Sequence, residues 1–191
     1  IVWMTMIHFC IYPKEGFFLQ RRYDVICVGQ LCGDILVRPV NEKIFTVDST
    51  PVDSMLLWPG GDAQNESCVM AKLGMKTALV GKIGRDIWGD AIVDIVTKSG
   101  VDLSHVVRDD MVNTCTSVAL IFEDGRRNFL YQGGGNDAFT VEDTDFSLFS
   151  QTRLVTLGSL FSLPGLLESG FETIVQKAHD AGAMVSADTA P

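Results

Sequence analysis

Two adjacent glycines, Gly60 and Gly61, close a Trp-Pro-Gly-Gly turn and run directly into a helical pattern that begins Asp62-Ala63-Gln64-Asn65. With no Cβ on either glycine, the backbone of this turn can come close to a ligand. The helix that follows presents unpaired N–H groups in its first turn, and these suit polar ligand atoms. Asp62 and Asn65 are three residues apart, so one helix face can carry both toward a single small molecule. Gly74 stops the helix, Thr77 to Ile83 reads as a strand, and Gly84 makes a second glycine turn. Turn, helix and apolar strand in that order constrain the chain to an α/β fold.

The rest of the chain repeats the alternation. Asp24 to Gly29 is a continuous apolar strand, as a buried parallel sheet requires. Asp86 to Lys98 reads as a helix with Ile87, Ala91, Ile92 and Ile95 on one stripe, Trp88 at its edge as packing, and Gly100 as its stop. Thr140 opens a short acidic helix with Glu142 and Asp143 in its first turn. Arg153 to Leu157 is another strand, ending at Gly158-Ser159. Pro164 to Ala181 is a helix with Leu167, Phe171, Ile174, Val175 and Ala178 on one face. Ala183 to Ala187 follows as a strand, with Asp188 at its carboxyl tip. Such an order predicts a parallel sheet with helices on both faces and right-handed crossovers.

Two segments interrupt this order. Asp34 to Val40 and Met55 to Trp58 are short strands around a polar connector. Ser117 to Glu123 and Arg127 to Gln132 form a hairpin across Asp124-Gly125. Arg126, Arg127 and Asn128 at its tip are either substrate contacts or solvated charges. The run Gly133-Gly134-Gly135-Asn136 allows backbone approach to a ligand or a hinge, with a plain flexible loop as the alternative.

Common nucleotide motifs are missing. The turn Gly29-Gln30-Leu31-Cys32-Gly33-Asp34 lacks the G-x-G-x-x-G of a dinucleotide site. No G-x-x-x-x-G-K-[ST] loop occurs, since Gly81-Lys82 is followed by Ile83. What the first turn offers is Asp34, just past the first strand, at the edge where open parallel sheets bind ligands. It is either a ligand carboxylate or a turn aspartate. A net charge of −9 argues against nucleic acid or an anionic membrane as partner. The cysteines, Cys10, Cys27, Cys32, Cys68 and Cys115, are odd in number and sit in apolar runs without a C-x-x-C pair. They read as buried reduced thiols, and Cys32 is either a small core residue, the favoured reading, or the one thiol near a candidate ligand. His8, His105 and His179 fall in no catalytic pattern. Ile1 to Tyr12 is mostly apolar but too short for a bilayer span of about 20 residues, and it lacks the marks of a signal peptide.

The spacing Gly60-Gly61-x-Ala63-x-Asn65-x-Ser67, then Gly74, then Gly84, resembles the first signature of the ribokinase-like (PfkB) carbohydrate kinases. Every fixed position of that pattern is filled. The resemblance covers Tyr23 onward, leaving residues 1–22 as an extension outside the fold and 23–191 as a partial sugar kinase domain. It implies a three-layer α/β/α fold with a mostly parallel sheet, a small β-sheet lid from residues 34–58 and 113–132, and a missing C-terminal part. It also implies a cytoplasmic kinase that moves the γ-phosphoryl of ATP, with Mg²⁺, to a sugar hydroxyl, and a homodimer through the lid.

The substrate-binding residues the resemblance implies are Asp34, Gly60, Gly61, Asp62 and Asn65. Asp188 matches a position where relatives carry Asn or Asp near the phosphates or their metal. Many relatives have lysine where Asp62 stands, so an extra hydroxyl acceptor is present here. The family's base is an aspartate in a G-A-G-D motif, and no G-x-G-D occurs in these 191 residues. No catalytic residue is therefore assigned, and the chain alone is expected not to turn over. Two alternatives remain: a nucleoside kinase of the same fold with a base stacked under the lid, and a non-catalytic sugar-binding module.

Overall fold

The computed structural model describes residues 21–189, so the expectation for the N-terminal extension lies almost wholly outside the described residues. Five parallel strands make the central sheet: β1 (Val25–Gly29), β4 (Thr77–Gly84), β5 (Val106–Asp109), β8 (Leu154–Gly158) and β9 (Met184–Ala187), in the order β5-β4-β1-β8-β9. Every residue of β1 and β4 is buried, which explains the unbroken apolar reading of β1. Helices α1 (Asp62–Lys72) and α2 (Ile87–Thr97) cover one face, where Ala63, Cys68, Ile92 and Val96 meet Val25, Cys27 and Leu79. Helix α3 (Gly170–Asp180) covers the other, with Ile174 and Ala178 against Ile26, Val28 and Val155. The architecture is the three-layer α/β/α arrangement with its mainly parallel sheet.

A second sheet stands apart. Strands β2 (Cys32–Val40), β3 (Ser54–Gly60), β6 (Thr116–Phe122) and β7 (Arg127–Gln132) pair in the order β3-β2-β6-β7. The four separate strands of the sequence thus form one lid, joined at its centre by the parallel pairing of β2 with β6. Val37, Val40 and Phe122 make its own small core. Arg126 at the hairpin tip bonds Asp124 and Glu42 in solvent.

One strand is added and three local readings are corrected. Strand β5 carries no continuous apolar run, and its four residues are all only half-buried. It is held by register against Gly81–Gly84 of β4, which no local pattern encodes. Ile87 is 75% exposed, and the buried stripe of α2 is Gly89, Ile92 and Val96. The helix foreseen from Pro164 starts only at Gly170, after two 3₁₀ turns, so Leu167 lies outside it and is half exposed. Thr140 opens a 3₁₀ turn with a reciprocal capping box to Asp143.

The chain returns from the lid through Gly133–Gly135, which is a packed corner. A Cβ on Gly134 would lie 2.3 Å from the Asn113 carbonyl oxygen, and one on Gly135 would lie 2.4 Å from that of Lys82. Lys82 fastens this corner to the sheet. Its ammonium is 2.9 Å from Asp143 and 3.6 Å from Asp109, and it donates to the Ala138 carbonyl at 3.2 Å. Removing one partner of a mostly buried ion pair leaves the others uncompensated. Lys82→Met is expected to cost about 3 kcal/mol, read as a lower urea midpoint; an unchanged midpoint would refute this.

His105, which stood in no sequence pattern, has a structural place. Tyr23 donates its hydroxyl to Asp102 at 2.6 Å and lies 3.1 Å from His105 Nε2. Burial first, and then Asp102, push Tyr23 up to about 12. Burial would raise Asp102, but hydrogen bonds from Tyr23 and Ser104 bring it down to about 2. A carboxyl lowered by folding stabilises the protein above its unfolded value near 3.9, roughly, and loses that contribution as pH falls toward the folded value. Asp102→Asn is therefore expected to remove about 1 kcal/mol at neutral pH, a figure discounted for solvent screening, and to flatten the acid limb between roughly pH 4 and 2. Urea titrations at several pH values check both; a steeper acid limb in the variant would contradict the assignment.

Candidate functional site

Strand β1 passes to β4 on one side through the lid and α1, while β8 pairs with its other side and leads away to β9. The strand order reverses between β1 and β8, so a crevice opens outside their carboxyl ends. A cleft of about 610 Å³ occupies that place, roofed by the lid. Its wall includes Gln30, Cys32, Asp34, Gly61, Asp62, Cys115, Ser117, Asn136, Asp137 and Ser159, and Phe129, Tyr131 and Phe161 also line it.

Asp34 reaches the cleft from β2, paired in register with Ser117 of β6. The Ser117 hydroxyl donates to Asp34 Oδ1 at 2.6 Å, which fixes the carboxylate and leaves Oδ2 for other partners. Gly60 is behind it: a Cβ there would come within 2.2 Å of Oδ2. Gly60 is buried and does not itself line the cleft. Its absent side chain makes room for Asp34.

Gly61 is the residue before α1, with φ 86° and ψ 134°, a conformation open essentially to glycine alone. The turn is pressed against the first loop, so a Cβ on Gly61 would lie 2.4 Å from the Gln30 carbonyl oxygen. Asp62 opens the helix and accepts a hydrogen bond from the Ser159 hydroxyl. Ser159 is 2% exposed and holds a left-handed backbone at φ 60°, the one non-glycine positive φ among the described residues. Such strain is retained where a side chain must point to a particular place. Asn65 points elsewhere; it is exposed and outside the lining.

Asn136 is buried and clamps the loop between β1 and β2. Its Nδ2 donates to the Leu31 carbonyl at 3.0 Å, and its Oδ1 accepts from the Leu31 N–H at 3.1 Å. Asp188 is half-buried just past β9, its N–H donating to Leu157 O at 2.9 Å, and it does not line the cleft. Nearby Glu66, one turn on from Asp62, is raised by burial, partly offset by the neighbouring Thr156 side chain, with Asp188 and Asp62 adding to the rise. Among the described residues no group of three or more His, Cys, Asp or Glu side chains is placed to hold a metal ion. No described helix is long and apolar enough to cross a membrane.

Of the residues expected to bind substrate, Asp34, Gly61 and Asp62 meet at one cleft. Arg126, Arg127 and Asn128 are not among its lining residues. Ser117 was not singled out from sequence, Asn136 was named only as the end of the glycine run, and Ser159 only at the end of a strand. Gly158-Ser159 does end a parallel strand at its carboxyl tip, a position that marks ligand sites, whereas Ser117 is visible only once β6 is registered on β2.

Residues 22–191 match the family described as pfkB family carbohydrate kinase. Among curated proteins, a probable fructokinase-5 of Arabidopsis thaliana is 25% identical over 166 residues, covering 86% of this chain and 50% of its own length. Fructokinase-2 of Oryza sativa subsp. japonica is 29% identical over 132 residues, 68% of this chain and 39% of its own. The chain thus spans half or less of these relatives' length. A solved fructokinase from Xylella fastidiosa with bound ATP superposes with a TM-score of 0.69 at 23% identity, over 87% of this chain and 51% of that one. An Arabidopsis thaliana ribokinase complexed with ribose and ATP gives 0.67 at 21%, over 85% and 52%. The signature turn, the lidded α/β/α fold and the extent of the family match agree, and the chain belongs to the pfkB family of carbohydrate kinases.

Proposed function

We propose that this chain supplies the sugar-binding cleft of an ATP-dependent sugar kinase. The observation that carries the reading is the meeting of Asp34 and Asp62 in one lid-covered cleft, each carboxylate already oriented by a serine hydroxyl. A carboxylate accepts hydroxyl hydrogen bonds with charge assistance, so two of them recognise a polyol by several oxygens at once. Backbone N–H groups at the start of α1 complement them as donors. The lid keeps water from the acceptor hydroxyl, and the fixed carboxylates orient it.

ATP supplies the phosphoryl group and Mg²⁺ shields its charge in this reaction class. The cleft residues do not by themselves fit either group: among the described residues no lysine or arginine lines the cleft to meet phosphates, no group of three or more His, Cys, Asp or Glu is placed to hold a metal ion, and Asp188 lies outside the lining. They fit an uncharged polyol. Because no G-x-G-D aspartate occurs in the sequence, the 191-residue chain is expected to bind sugar without phosphorylating it.

A thermal-shift panel of ketohexoses, pentoses, sugar acids and nucleosides tests the reading, since a ligand of the native state raises the melting temperature. Stabilisation by a sugar supports it. A response confined to nucleosides would replace it with a nucleoside kinase, a reading favoured by the rings of Phe129, Tyr131 and Phe161 at the cleft. ATP-dependent sugar phosphorylation by this chain would refute the expectation of inactivity.

The lid also fits a homodimer contact. Met55 and Leu130 are 67% and 64% exposed on its two outer strands, on the face turned away from the cleft, exposed apolar side chains of the kind that mark association. Sedimentation velocity is expected to show a dimer that Leu130→Asp dissociates; a concentration-independent monomer would rule the contact out.

A further inference from the structure

We propose that Cys32 and Cys115 form a redox modification site, a dithiol in the cleft wall that a peroxide converts reversibly to a disulfide. The inference goes beyond the sugar-kinase reading and does not rest on it. The two Sγ atoms are 3.2 Å apart. Parallel register pairs Gly33 with Thr116 and Asp34 with Ser117, so Cys32 and Cys115 face each other on the preceding rung. Alternation along the strands puts both sulfurs on the side of the lid that carries Asp34 and Ser117. Neighbouring strands lie about 4.8 Å apart, within the Cα separation a disulfide spans. Both thiols are free, and both line the cleft, which gives a small oxidant a path to them.

Their chemistry differs from that of the other core thiols. Cys27 is pushed up to about 12, chiefly by burial, and stays inert. Contact with the Cys32 side chain lowers the Cys115 thiol, against burial, with Asn136 also lowering it. Cys32 is pushed up by its hydrogen bond with Cys115 and then by burial. Attack by Cys115 leaves the Cys32 sulfur 3.2 Å away to resolve it. The Cys115 thiolate attacks one peroxide oxygen, the O–O bond breaks, and the departing hydroxide takes up the thiol proton as water. The Cys32 sulfur then attacks the sulfenic sulfur of Cys115, the S–O bond breaks, and a second water leaves. The two thiols lose two hydrogens and two electrons, and the peroxide is reduced to two waters.

The test is peptide mapping of the chain after brief hydrogen peroxide treatment. The expected product is lighter by two hydrogens, carries a Cys32–Cys115 linked peptide, and recovers both thiols with dithiothreitol. Both thiols remaining alkylatable, a link between any other cysteines, or irreversible sulfinic acid at either position would overturn the proposal. In Cys32→Ser, a dimedone adduct is expected on Cys115. An adduct on Cys32 in Cys115→Ser, with none in Cys32→Ser, would overturn the assignment of the attacking sulfur. The mapping of the unmutated chain needs no variant to fold, and no sugar is present, so its failure leaves the sugar-kinase reading standing.

Discussion

Asp34→Asn is expected to weaken sugar binding roughly 10- to 100-fold while leaving the fold intact. The amide keeps the shape of the carboxylate and still accepts from Ser117, so the β2–β6 rung survives. What it loses is charge: hydrogen bonds to an ionised group contribute about 1.5–3 kcal/mol, against about 1 for neutral pairs. One of the two amide positions also becomes a donor, which opposes a hydroxyl hydrogen where Oδ2 accepted one. Isothermal titration with the sugar found by the thermal panel reads the effect directly. Unchanged affinity, with the melting temperature also unchanged, would remove Asp34 from the binding site.

Gly61→Ala is expected to cost more than about 3 kcal/mol or to prevent folding, whereas Gly74→Ala should cost about 1. Both glycines have positive φ, 86° and 91°. Only Gly61 is crowded, its absent Cβ lying 2.4 Å from a backbone oxygen that cannot move without displacing the first loop. Nothing lies within 4 Å of the corresponding point at Gly74. The difference between the two variants in urea unfolding isolates the close approach from the backbone preference. Equal losses would show that the turn at Gly61 is less tightly packed than described.

These two residues also mark how far the sequence could be read. Gly61 was legible because a glycine pair before a helix has few other uses. Strand β1 was legible because burial on both faces leaves an unbroken apolar run, and β4 and β8 because theirs are apolar but for Thr77, Lys82 and Thr156. Strand β5 was not, since only its partner's register gives it strand geometry. The 3₁₀ turn at Pro164–Leu166 was misread as helix because Leu167, just past it, happens to keep helical spacing with Phe171 and Ile174 of α3. Asp34 and Asp62 could each be named alone. Their serine partners could not, because Ser117 and Ser159 are 83 and 97 residues away along the chain. Asn136 is separated by 105 residues from the loop it clamps. Contacts of that length are products of topology, and no local pattern carries them.

The claim at the centre is that a sugar sits between Asp34 and the amino end of α1. Two-dimensional amide NMR of the labelled chain, titrated with the sugar that stabilises it, tests this most directly. The predicted result is that the largest shifts fall on Gly61, Asp62, Ser117 and Ser159. Shifts confined to the far end of the central sheet, with those four amides unmoved, would contradict it.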